Sequence, residues 1–132
     1  RDASNQYRQV DPILMRNILL LQRLSPFNHA NGREALDMSL ALAAVEHNVS
    51  ILFCDDAVYQ LLPTADHIDF GLKPYPRSFK LFSLYDIEQV YVCHESVTAR
   101  GLKPEQFSIN VTLLTRADIA ALLSAQHQVI TI

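Results

Sequence analysis

Positions 18 to 21 read Ile-Leu-Leu-Leu, apolar at every residue, with Arg16-Asn17 before and Gln22-Arg23 after. So short a run without polar alternation predicts a strand buried on both faces, which needs a sheet covered by helices on both sides. Val49 to Phe53 predicts a second such strand, ending on Cys54, and Gln89 to Val92 reads as a further short strand, ending on Cys93. Between the first two, Arg33 to about His47 is rich in Ala and Leu, with Leu36, Leu40, Ala43 and His47 at helical spacing. Met38, Leu42 and Val45 make that helix apolar over most of its circumference. It is expected to be buried on two sides, by the sheet and by a partner subunit.

The rest of the chain continues the alternation. Asp55 and Asp56 read as caps for a brief helix, Ala57 to Leu62, stopped by Pro63. A long surface loop follows through 76, holding Pro63, Pro74, Pro76 and Gly71. From Pro76 an apolar helical run carries Phe79, Leu81, Phe82 and Leu84 into the third strand. His94-Glu95-Ser96 open a short helix that stops at Gly101, a residue suited to a left-handed helix end. Ser108 to Leu114 alternates through Ile109, Val111 and Leu113 as a fourth strand. Thr115 and Asp118 form a capping box for a helix through Ala125, and Gln128 to Ile132 makes a fifth strand. Strands alternating with helices predict an α/β fold, a flavodoxin-like three-layer αβα arrangement with a five-stranded, mainly parallel sheet.

At 132 residues, 49% of them apolar and 19% charged, the chain fits one ordinary globular domain. Residues 1–14 are polar and read as an N-terminal extension, a cloning remnant or translated upstream sequence, with Met15 as the natural start of a single domain over 15–132. A formal net charge of -3 gives no electrostatic case for direct nucleic-acid binding. No apolar run is long enough to span a bilayer, no secretory leader is recognisable, and two cysteines do not make a disulfide scaffold. A reducing cytoplasmic compartment is the expectation.

Cys93 is the candidate of most chemical interest. A strand, a cysteine and a helix in that order put a thiol at the carboxyl end of a strand, where open α/β sheets place their sites. The helix start and Arg100 would both favour thiolate, drawing the group somewhat below the free value of roughly 8.5. The plainer reading is an inert cysteine packed under the next helix, and residues alone favour it. His94 directly follows and would pair with the thiol only if the chain turned sharply. Cys54 precedes two aspartates whose charge opposes a thiolate, so a half-buried structural role is expected. The five histidines show no zinc-like spacing with the cysteines, and no metal or other cofactor is expected. Ser25 to Gly32 sits where related architectures bind flavin or nucleotide, but with one glycine and no Lys-Ser/Thr pair it reads as a turn.

Three motifs go further: GREALD at Gly32 to Asp37, DAVYQLLP at Asp56 to Pro63 and LYDIEQ at Leu84 to Gln89. Together with the cysteine-bearing stretch they resemble the DsrE/DsrF/DsrH family, and within it the DsrF-like branch, from Met15 to Ile132. The resemblance implies a subunit of a cytoplasmic sulfur relay that is not catalytic alone. It implies TusB-like and TusD-like sister subunits in a heterohexamer, a TusA-like persulfide donor and a TusE-like acceptor. The implied end use is 2-thiolation of the wobble uridine of certain tRNAs, or sulfur handling during sulfur oxidation in DsrEFH-type relatives. The main role expected is assembly. Cys93 matches the carrier cysteine of the TusD-like subunit by the spacing to Arg100 and Gly101, which makes it the persulfide-carrier candidate. Expressed alone, the chain is also open to forming a homo-oligomer. A flavin- or nucleotide-binding enzyme is the alternative from another class.

Overall fold

The computed structural model describes residues 15–24, 31–63 and 81–132. The expectations for residues 1–14, for most of the Ser25 to Gly32 turn, for the loop through 76 and for the helix start at Pro76 lie outside these. In chain order the elements are β1 (Asn17–Gln22), α1 (Asn31–Ala44), β2 (Asn48–Phe53), a 3₁₀ segment (Asp55–Leu61) and α2 (Leu81–Leu84). They continue as β3 (Gln89–Cys93), α3 (His94–Ala99), a 3₁₀ turn (Pro104–Gln106), β4 (Thr112–Leu114), α4 (Arg116–Ser124) and β5 (Gln128–Thr131).

The expected class is present: a five-stranded sheet, parallel at every pairing, in the order β4-β3-β2-β1-β5. From β1 the chain steps outward in one direction to β4, then returns past β1 to place β5 at the far edge. Right-handed crossovers therefore put α1 to α3 on one face and α4 on the other. The three central strands carry the core, with Leu19, Leu20, Ile51, Leu52, Phe53 and Val92 wholly enclosed. Each such side chain contributes about 1.5–3 kcal/mol by leaving water. Burial of neighbouring residues on opposite faces is why the β1 and β2 runs show no alternation, whereas β3 alternates buried Val90 and Val92 with less buried neighbours.

The structure departs from the expectations at three places. Asp55 and Asp56 do not cap: Cys54 occupies the N-cap position of the 3₁₀ segment, without a side-chain capping bond. Both aspartates turn outward to arginines instead. Only Thr112–Leu114 of the fourth strand pairs, because the Ser108 N–H donates to the Leu61 carbonyl at 2.7 Å. That bond draws the preceding chain under the 3₁₀ segment, where Ile109 and Val111 pack against the core rather than a neighbouring strand. The long helix ends at Ala44 rather than His47. Glu46 adopts φ 73°, and the N–H groups of Glu46 and His47 donate back to Ala43 and Leu42. This is the paired-bond ending usually built on glycine. Beyond the face on β1 and β2, Met38 and Val45 of this region remain exposed, so the described residues supply only one of the two expected covers.

Candidate functional site

Cys54 and Cys93 stand side by side at the carboxyl edge of the sheet. Phe53 pairs with Val92 as the last in-register couple of β2 and β3, and each cysteine is the next residue. Side chains alternate along strands, so both thiols fall on the face of Leu21 and Leu52, opposite the face of Phe53 and Val92. There they open on a cleft of about 440 Å³, floored by Leu21 and Leu52 and walled by Ile119 and Leu123 of α4. Both cysteines are free thiols and partly buried, and both line this one cleft.

Two clamps fix this juxtaposition. Asp55 takes the left-handed conformation at φ 51°, which short polar side chains tolerate better than most. The turn aims its N–H at the Ser96 hydroxyl, which accepts it at 2.9 Å. The second clamp is Arg100, whose Nη2 and Nε reach Asp56 Oδ1 at 2.9 and 3.1 Å while Nη1 donates to the Ser96 carbonyl at 3.2 Å. The end of β2 is thereby tied to α3 at two points. On the outer side Arg23 pairs with Asp55 at 2.8 Å, and Arg116 of α4 pairs with Glu95 at 2.9 Å.

The α3 helix is well terminated. Gly101 at φ 67° lets its own N–H and that of Leu102 return to Thr98 and Val97, as its sequence position predicts. Cys93 is the N-cap of α3 and makes no side-chain capping bond, so its sulfur stays available to the cleft. His94 is exposed at the first helical position. Arg100 lines the cleft, as a thiolate partner would, but its guanidinium is engaged by Asp56. Cys54 has its pKa pushed up to about 12, first by burial, then by Cys93 and Asp55, with Arg23 opposing. The direction matches the expectation for this residue. The principal cause is desolvation rather than the aspartate charge.

Sequence reasoning singled out Cys93 and placed Cys54 apart from it. The signal that would have joined them is that two consecutive buried strands each end in cysteine. Other candidates are elsewhere: His47 and His127 sit at the amino end of the sheet, their Nδ1 atoms accepting the N–H groups of Arg16 and Asn17 at 3.2 and 2.8 Å. Among the described residues no three His, Cys, Asp or Glu side chains converge as a metal site would require, and no helix is long and apolar enough to cross a membrane.

This chain belongs to the DsrE/DsrF-like family, whose model matches residues 16–132. Relatives named "Protein TusC homolog" include one from Vibrio vulnificus strain CMCP6, 38% identical over 117 residues, covering 89% of this chain and 99% of the relative. Another, from Vibrio parahaemolyticus, is 40% identical over 101 residues, covering 76% and 86%. Among solved structures, the ychN protein from E. coli superposes with a TM-score of 0.73, covering 89% of this chain and all of that one, at 19% identity. That likeness establishes the fold. The DsrF-like branch read from the three motifs is the one to which TusC-type subunits belong, in agreement with the relatives' shared name.

Proposed function

We propose that this chain is a TusC-like subunit of a sulfur relay, assembled with TusB-like and TusD-like sister subunits, and that Cys93 takes part in passing persulfide sulfur. Family membership and the relatives' name support the first part. The observation that carries the second is the position of Cys93: at a strand end, beside a helix start, facing an open cleft. In the transfer step the Cys93 thiolate attacks the outer sulfur of a donor persulfide. A new S–S bond forms on Cys93, the donor's S–S bond breaks, and the donor departs as a thiolate. A TusA-like protein is the donor and a TusE-like protein the acceptor in this reading, with tRNA wobble-uridine thiolation as the end use.

The test is intact-mass spectrometry of the complex reconstituted with both sister subunits after exposure to a persulfidated donor. One added sulfur on this chain, absent in Cys93→Ser, is the expected result. Sulfur found only on a sister chain would reduce this subunit to an assembly role. A monomer that binds neither sister subunit would remove the relay reading itself.

A further inference from the structure

The function proposed for Cys93 leaves its neighbour unexplained. Cys54 follows β2 directly beside it, on the same face and over the same cleft. We infer that Cys54 is a resolving thiol for Cys93. When Cys93 carries a persulfide, the Cys54 sulfur attacks the inner, Cys93 sulfur. The Cys54–Cys93 bond forms, the bond to the outer sulfur breaks, and that sulfur leaves as hydrosulfide. Two protons, one from each sulfur group, are carried off with it as hydrogen sulfide. The persulfide is itself the oxidant, so no further reagent is required. This inference rests on Cys93 accepting sulfur.

Geometry supports closure. Neighbouring strands lie about 4.8 Å apart, within the roughly 4.4–6.8 Å between Cα atoms that a disulfide spans. The Ser96–Asp55 and Arg100–Asp56 contacts tie the end of β2 to the helix that follows Cys93. The cleft above Leu21 and Leu52 opens to solvent and gives the departing sulfur an exit that avoids the core.

The surroundings also set the pace. Burial, Cys93 and Asp55 keep the proton on Cys54, Arg23 opposes them, and the remaining charges lining the cleft are Glu95, paired with Arg116, and Arg100, paired with Asp56. At neutral pH the attacking thiolate is therefore scarce, and outward transfer from Cys93 has time to compete. The internal route discharges sulfur that no acceptor collects.

The experiment uses the full chain, reduced and then loaded with sodium tetrasulfide, freed of excess reagent and followed by intact mass and by a colorimetric sulfide assay. Wild type is expected to lose its added sulfur, release sulfide and end lighter by two hydrogens, with peptide mapping joining Cys54 to Cys93. Cys54→Ser is expected to retain the added sulfur on Cys93 and to lose the sulfide release. Cys54→Ala gives the same comparison if serine disturbs the strand end. Wild type that keeps its added sulfur as long as Cys54→Ser, with no cross-link, overturns the inference and leaves Cys93 a carrier. Neither wild type nor the Cys54 variants gaining sulfur or cross-linking would overturn both.

Discussion

The ends of β2 and β3 are neighbours in register and both carry cysteine, yet the chain leaves them differently. After Cys93 the backbone passes straight into α3, so that this thiol sits at a helix start. After Cys54 the chain turns through left-handed Asp55 into a 3₁₀ segment, and the residues that follow are two carboxylates. The same side chain is thus placed by one continuation at a helix start, where the proposed relay has it accept sulfur, and by the other where burial holds its proton. What separates them is local backbone, which residue type alone does not reveal.

Phe53 is the place to break both ends at once. It is wholly buried opposite Val92, one residue before each cysteine. Phe53→Ala is expected to lower stability by about 3–5 kcal/mol in urea unfolding, from lost transfer and the cavity left behind. Alkylation of both thiols in the folded protein is expected to rise together. A loss below about 1 kcal/mol, with labelling unchanged, would mean the clamps alone set the two ends.

The next largest effect separates the thiols. With Cys93 replaced by alanine, burial still holds the proton on Cys54. Iodoacetamide labelling of Cys54 is expected to climb about tenfold per pH unit from about pH 8 to about pH 10, without levelling near the ordinary thiol value. A plateau at 9.0, the unperturbed value, would show that burial does not protect the proton. The stability consequence has a definite sign. The folded form binds this proton more tightly than the unfolded chain does. Its contribution is therefore complete below the ordinary value of 9.0 and is lost as pH rises towards about 12.

The strands β1 and β2 were legible because burial on both faces removes alternation, a signal that Ile18 to Leu21 carries without help from context. The capping box at Thr115 and Asp118 was legible for a similar reason, being local: Thr115 Oγ1 and Asp118 Oδ2 each accept the other's N–H. Helix ends were harder. Gly101 announced one, but Glu46 and Asp86, at φ 73° and 60°, make the same ending without a glycine to mark it. The Asp55 and Asp56 roles were missed because their arginine partners lie far off in sequence. Strand order was hidden too, since alternation of elements does not rank strands. It is that order, β2 beside β3, which turns two separate cysteines into one dithiol.

The smallest effect tests how the two strand ends are held. Ser96 is 7% exposed, and its hydroxyl is the partner of the Asp55 N–H. Removing it in Ser96→Ala leaves that donor without its acceptor, at an expected cost of about 1–2 kcal/mol in urea unfolding. Asp56→Asn weakens the other clamp, whose carboxylate side chain is 57% exposed, and is expected to cost under about 1 kcal/mol because water screens such pairs. The two variants touch the same junction from a hydrogen bond and from an ion pair, so their ratio reports which one sets the Cys54–Cys93 spacing. A larger loss from Asp56→Asn would transfer that role to Arg100 and make the spacing salt-sensitive. A larger loss from Ser96→Ala leaves it to the left-handed turn at Asp55, the very feature by which the chain leaves β2 and β3 differently.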